Sequence, residues 1–397
     1  MRELRIKVSG KPILPHLMKD VQGKLAYVDE KIEKAFISET GNEIHFLFNS
    51  DIASSRAEQI KNKTWGLIET MVGGLFSYKM KVIEDKTCEV PETVDPMPEL
   101  LKRKEVFQEG MGYFVLGPLL SRLVDFIENE IIGIAHLMKA RTYRFPSLIA
   151  PEYLEKVQYF KNFPHSLSFV THLREDLDLI KQFSEEAHTN QGCVIANSES
   201  FKPCHAMLAP TICHHLYFTL AESEIPEEGI IATAVGNCFR YESINMVSLE
   251  RAWNFTMREI IFVGTDKQVK KNLDELRTRM SKVLEVMGLS YRVVTANDPF
   301  FVGSFKDQVA IQNALEMKYE IRADLPYKKD TLAVGSYNRH GIFFGKTLNI
   351  KLKDGNPACS GCLGIGLERI AFAFVAQYGV DPGQWPEFVK DAVSGKY

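Results

Sequence analysis

Positive charge is the first thing this sequence has little of. Lys and Arg number 48 against 51 Asp and Glu, a formal net charge of −3. A protein that grips nucleic acid by its phosphates carries a basic surplus, so the charge balance speaks against a large footprint of that kind and leaves only a local patch. Long apolar runs are missing too. No stretch approaches the roughly 20 residues that a membrane span needs, and the first residues, MRELRIKVSGK, lack the apolar core of a signal peptide. No membrane partner and a cytoplasmic location are expected. The seven Cys are odd in number and irregularly spaced, which excludes a disulfide scaffold and suits a reducing compartment. There is no internal repeat, and residues 1–100 hold no heptad run from which a long coiled-coil arm would be built.

What is present suffices for two domains, one of them large. The chain has 397 residues, of which 45% are hydrophobic and 11% aromatic, enough to fill a sizeable core. Residues 1–90 read as a small appended α/β domain. Leu4–Val8 alternates, Ala35–Phe48 reads as a hairpin about a Thr-Gly-Asn turn, and Ser54–Leu75 reads as an amphipathic helix. No residue there carries visible chemistry. The polar, Pro-punctuated stretch at 84–100 is the linker candidate. From about 97 the chain is more apolar, and a larger domain is expected over 91–397. Gly117–Ala140 has helical spacing and is followed by an extended segment with Pro146 and Pro151. An acidic surface helix is expected within 165–190, a short strand at Cys193–Ala196 and a helix beginning near Cys204. Strand, long polar loop and strand fill Ile230–Val263. Asp266–Met287 is a helix with Asp266 as its N-cap, and strands follow at Tyr291–Ala296, Lys318–Ala323, Leu332–Ser336 and Leu348–Leu352. Many strands with hairpin-like connections indicate an α+β fold on an antiparallel sheet.

The stretch Cys359–Ala373, CSGCLGIGLERIAFA, reads as a buried strand entering a helix. Gly361, Gly364 and Gly366 stand where side chains would block close backbone approach. The pair Glu368 and Arg369 opens an otherwise apolar helix, and a permanently charged guanidinium at that mouth suits an anionic ligand such as phosphate. Upstream, Phe239-Arg240-Tyr241-Glu242 ends one strand and Arg251, Phe255 and Glu259 follow on the return strand. Two strands joined by a loop too long for a tight turn are expected where the loop itself carries function.

In type and order these stretches resemble motifs 2 and 3 of the class II aminoacyl-tRNA synthetases, and the helix at 117–140 with its Pro-punctuated continuation resembles their motif 1. The resemblance covers about 100–397. It is nearest to the zinc-dependent, methanogen-type seryl-tRNA synthetases and their truncated relatives, the amino acid:[carrier protein] ligases. NPACSGCLGIGLERI and Ser336-Tyr337-Asn338-Arg339-His340 carry that likeness. It implies the class II catalytic fold, an antiparallel sheet flanked by helices, over 91–397, and a homodimer built through motif 1.

It also implies roles. Arg240 would bind the ATP α-phosphate and the amino acid carbonyl, Glu242 the adenine edge, and Phe255 the adenine face. Arg251 and Arg369 would clamp the γ-phosphate, making Arg240 and Arg369 the catalytic pair. Rigid guanidinium donors suit the negative charge that rises on phosphorus in adenylate formation. Cys204, Glu259 and Cys362 would hold Zn²⁺ and, with Asn338, the substrate. Two thiolates and a carboxylate are acceptable zinc ligands that leave a position open for an α-amino group. His205, His214 and His215 are alternatives for Cys204, and no second Cys pair supports Cys359 and Cys362 as a zinc ribbon. Mg²⁺ would accompany ATP; the matching acidic position is Leu332, with Asp330 nearby. The expected reaction is ATP-dependent activation of a small amino acid, then transfer to the phosphopantetheine thiol of a carrier protein. The alternatives are a tRNA as acceptor, or a catalytically silent regulatory paralogue.

Overall fold

The computed structural model describes residues 1–8, 12–72, 81–92, 94–296 and 317–394. The amino-terminal unit comprises strand β1 (Glu3–Lys7), helix α1 (Pro15–Leu25), strands β2 (Ile32–Ile37) and β3 (Glu43–Phe48) and helix α2 (Ser54–Val72). The three strands form an antiparallel sheet in the order β1-β3-β2. Alternation puts Leu4, Ile6, Ile44 and Phe46 into one core with Val21, Leu25 and Ile60 of the helices, as period-2 and period-3.6 patterns require. Gly41 turns the hairpin at φ +70°, a conformation in which only glycine pays no Cβ penalty. The predicted end of α2 at residues 73–75 lies outside the described residues.

The larger part is an eight-stranded sheet. Its edge strand β4 (Val82–Lys86) precedes helix α3 (Pro118–Leu137) and strand β5 (Arg141–Thr142). Helix α4 (Cys213–Thr219) and strands β6 (Ile230–Phe239) and β7 (Asn254–Gly264) follow, then helix α5 (Asp266–Val286). Strands β8 (Tyr291–Thr295), β9 (Lys318–Leu325) and β10 (Asp330–Gly341) lead through helix α6 (Phe343–Thr347) to strand β11 (Cys359–Gly366) and helix α7 (Leu367–Tyr378). The order is β4-β8-β9-β10-β11-β7-β6-β5. Every pairing is antiparallel except β6 with β5. The α+β fold expected from the sequence is the one observed.

One face of this sheet is filled with helices. Ile260, Phe262, Leu363 and Ile365 share a core with α3, α5 and α7. Gly361 lets α5 approach: a Cβ there would sit 2.9 Å from Val269 Cγ1 and 2.8 Å from the Asn338 carbonyl oxygen. The neighbouring glycine on the strand serves the opposite face, since a Cβ at Gly364 would meet Met257 Sδ at 3.0 Å and Glu259 Cγ at 3.6 Å. Gly366 differs from expectation, because a Cβ there meets only the Arg369 side chain at an ordinary 3.7 Å.

Other elements depart from the sequence reading. β4 falls inside residues 1–90 yet pairs with β8 in the large sheet, so the expected linker begins within a strand. Helix α4 begins at Cys213, not near Cys204. Thr265, not Asp266, caps α5: its Oγ1 accepts from Gln268 N–H while Gln268 Oε1 accepts from Thr265 N–H, a reciprocal capping box. Leu348–Leu352 is no strand; it contributes only bridges at Lys351, because α6 takes the chain up to Thr347. The acidic helix forms at Leu177–Glu186 and buries no residue. Among the described residues no helix is long and apolar enough to cross a membrane.

Candidate active site

The opposite face of the sheet, against which the short helices α4 and α6 pack, carries the predicted chemistry, because side chains two residues apart on a strand share a face. Glu259 on β7 stands opposite Ala234 on β6 and Gly364 on β11; Gly364 stands opposite Ser336 on β10, and Cys362 opposite Asn338. Ala234, Gly364 and Ser336 thus put small side chains or none around Glu259.

Cys213, at the start of α4, drops onto this floor. Its thiol, a Glu259 carboxylate oxygen and the Cys362 sulfur lie within 4.8 Å of one another, at exposures of 4%, 1% and 2%. Glu259 Oε1 accepts from Thr211 Oγ1 at 2.9 Å and from Ile212 N–H at 3.3 Å, whereas its Oε2 is buried without a hydrogen-bond partner. Asn338 Nδ2 lies 3.7 Å from Cys362 Sγ. The hydrogen bond from Cys213 holds the Cys362 thiol well below the ordinary thiol range, against the cost of burial and with help from His340 and Asn338. That same bond, then burial, pushes the Cys213 thiol up. Burial, then the Cys362 charge, pushes the Glu259 carboxyl up to about 8. Three metal-type donors buried together, one with an unpaired oxygen, fit a divalent cation such as zinc.

Cys204 is not part of this cluster. It is exposed ahead of the helix, and its thiol donates to the Ala206 carbonyl at 3.0 Å. His205 is likewise exposed, with its ring edge-on to His172. His214 and His215 are buried on α4 beside Cys213 but outside the three-residue group. Burial, then His340, His215 and Arg240, drives His214 down to about 3. Sequence reasoning missed Cys213 and Thr211. The available signal was Pro210, which ends an extended segment just before apolar residues at helical spacing in CHHLYFT.

The cationic part lies at the open end of β6 and β7. Arg240 follows β6; its Nε donates to the Pro210 carbonyl at 2.9 Å, and its guanidinium carbon is 5.5 Å from the Phe255 ring centroid. Arg369 in the first turn of α7 places its guanidinium carbon 5.9 Å from that same ring. Phe255 is only 5% exposed, so its ring is a fixed platform for both cations. Glu242 is ion-paired with Arg251, and its Oε1 lies 3.9 Å from Arg369 Nη2. Burial opposes ionisation of Glu242, but Arg251 and Arg369 outweigh it and hold the carboxyl below the usual range. Glu368 turns away from this group, accepting the Thr256 N–H on both oxygens at 2.9 Å. Asp330 opens β10 and accepts from Thr331 N–H, while Leu332 is buried in the main core.

Over 317 residues the chain is 27% identical to Amino acid--[acyl-carrier-protein] ligase 1 of Bradyrhizobium diazoefficiens, covering 78% of this chain and 93% of that protein. It is 24% identical over 303 residues to Type-2 serine--tRNA ligase of Methanopyrus kandleri, covering 72% of this chain and 58% of that one. Among solved structures, M. kandleri SerRS in complex with A. aeolicus tRNASec superposes with a TM-score of 0.73 at 21% identity, covering all of this chain and 78% of that one. The chain is a homologue of both ligase groups and is class II aminoacyl-tRNA synthetase-like. No protein-family model matches it. The eight-stranded sheet with its flanking helices is therefore the class II catalytic fold, and both groups of relatives are ligases.

Proposed function

We propose that this protein is an ATP-dependent ligase that activates a small amino acid as its aminoacyl-adenylate and transfers it to the phosphopantetheine thiol of a carrier protein. The observation that carries the reading is the buried Cys213, Glu259 and Cys362 group on the same sheet that aims Arg240 and Arg369 across Phe255. A site for a metal-held amine and a site for phosphate charge thus share one floor.

In this reading Cys213, Glu259 and Cys362 hold Zn²⁺, with Cys213 in the place first given to Cys204. When bound, the metal supplies a Lewis-acid position for the substrate's α-amino group. The chain's own residues do the rest. Arg240 binds the α-phosphate and the amino acid carbonyl, bringing carboxylate and phosphorus together. Arg251 and Arg369 take the terminal phosphates, which requires Arg251 to exchange part of its contact with Glu242 for nucleotide oxygens. Glu242 reads the adenine edge and Phe255 provides an apolar surface for the base. Mg²⁺ enters with ATP. Asn338, beside Cys362, faces the substrate. In the second step the carrier thiol attacks the adenylate carbonyl and AMP leaves, a reaction that needs positioning more than a dedicated base. Coverage of 93% of the Bradyrhizobium ligase supports a carrier protein as acceptor. A homodimer through α3 belongs to the same proposal.

One observation favours tRNA instead. The Type-2 serine--tRNA ligase of M. kandleri aligns over 72% of this chain, close to the 78% of the carrier-protein ligase, and M. kandleri SerRS superposes over the whole chain. The experiment is ATP–pyrophosphate exchange across a panel of amino acids with zinc present, followed by transfer of labelled amino acid to holo carrier protein or to total tRNA. Exchange with a small amino acid and labelling of the carrier is the expected result. Labelled tRNA selects the second acceptor, and no exchange with any amino acid overturns the reading in favour of a silent paralogue.

A further inference from the structure

The amino-terminal unit touches the large sheet's machinery at a specific place. Tyr27, just past α1, donates its hydroxyl to the Tyr241 carbonyl oxygen at 3.1 Å. On the other side of Glu242, Ser243 and Ile244 turn the chain, and Asn245 Nδ2 reaches back to the Gly23 carbonyl at 3.4 Å while also bonding the Glu242 carbonyl at 3.0 Å. Between them Ile244 packs against the core of the amino-terminal unit. Ser243 adopts φ +55°, a left-handed conformation that costs a non-glycine residue about 1 kcal/mol and persists only where surroundings impose it. The Tyr27 ring meets His165 edge-on at 5.2 Å, which fixes the direction of the hydroxyl.

From these contacts we infer that Tyr27 is a positioning residue for the nucleotide loop, and that the amino-terminal unit acts as a clamp setting the conformation of Glu242. The inference rests on the reading of Glu242 and Arg251 as ATP-binding residues. Tyr27 touches neither of their side chains in a hydrogen bond; it holds the carbonyl immediately before Glu242, and Asn245 holds the carbonyl of Glu242 itself. Glu242 lies at the centre of the cationic group, paired with Arg251 and 3.9 Å from Arg369. A loop freed at both flanks would sample other directions for that carboxylate, and an ordering cost would then accompany every nucleotide-binding event.

The test is Tyr27→Phe in the full chain, which keeps the ring and removes only the hydroxyl, with Asn245→Ala as the second variant. The expected result is a KM for ATP raised about three- to tenfold, as loss of one hydrogen bond warrants, with kcat, the KM for the amino acid and bound zinc unchanged. Amide hydrogen exchange of residues 241–246 accelerates in the same variants without any ligand. Unchanged amide exchange in both variants overturns the clamp, as does a parallel fall in kcat, zinc content and melting temperature, which marks a merely structural contact. Absent pyrophosphate exchange in the unmodified protein speaks against the ligase reading instead, and leaves the hydrogen-exchange comparison standing.

Discussion

Thr211 Oγ1 donates to Glu259 Oε1 at 2.9 Å and leaves the other carboxylate oxygen of Glu259 buried without a partner. A buried polar atom left unpaired costs about 1–3 kcal/mol, so this oxygen points to a missing positive charge. One carboxylate oxygen of Glu259 and the Cys213 and Cys362 sulfurs lie within 4.8 Å of one another.

Metal content follows from that arrangement. Cys213→Ser, Glu259→Gln and Cys362→Ser each lower zinc, measured by elemental mass spectrometry, from about one ion per chain to a small fraction of that under a competing chelator; removing a ligand of a three-donor site typically costs affinity by orders of magnitude. Cys204→Ser retains full zinc. If Cys204→Ser loses the metal while Cys213→Ser keeps it, the site assignment fails.

Arg240 separates chemistry from fold. Arg240→Ala lowers pyrophosphate exchange by about 10²-fold or more, the cost of removing a preorganised charge donor from a phosphoryl site, and bound zinc and far-UV circular dichroism stay as they were. Exchange within a few-fold of the unmodified protein would place the phosphate elsewhere.

The buried ion pair on the opposite face is a stability element. Arg258 is 4% exposed and paired with Glu128 of α3. Glu128→Ala strands a buried guanidinium and destabilises by about 3–5 kcal/mol, seen as a lower urea midpoint. Replacing both residues by apolar ones of similar size recovers most of that loss, because no unpaired charge is then left.

His165 makes stability depend on acidity. Burial, then the Lys24 charge, lowers its pKa to about 4 in the folded protein, with Glu242 opposing. A depressed imidazole pKa means that the unfolded chain binds more protons between about pH 4 and the ordinary value near 6.5. Its contribution is fully present above pH 6.5 and declines as the pH falls toward 4. His165→Gln flattens that part of the profile of urea midpoint against pH; an unaltered slope means that other groups govern it.

Much of this was legible in the chain. Helical spacing in 117–140 and 266–287 reflects burial of one stripe, and the apolar runs in 230–239 and 254–264 reflect strands largely buried on both faces, which is local pattern. Arg240, Glu242, Arg251, Phe255 and Arg369 could be named because they sit at fixed offsets within their motifs. Cys204 was misjudged because two cysteines nine positions apart have no local feature that ranks them as ligands. The choice depends on where a short helix starts, and that start is set by packing of α4 under β11 and not by a cap. The Glu242–Arg251 pair and the reach of Tyr27 to Tyr241 are contacts across the chain that no spacing records.

By itself, then, the order of residues determined the α+β class, the strand-loop-strand and Gly-rich strand-helix units, and the side chains that carry charge within them. Tertiary structure alone decided which thiol meets Glu259 and Cys362, and that the amino-terminal unit seats itself on the loop bearing Glu242. Periodicity encodes what a segment buries, whereas a three-residue cluster exists only once antiparallel register and helix docking have brought distant backbones to fixed separations.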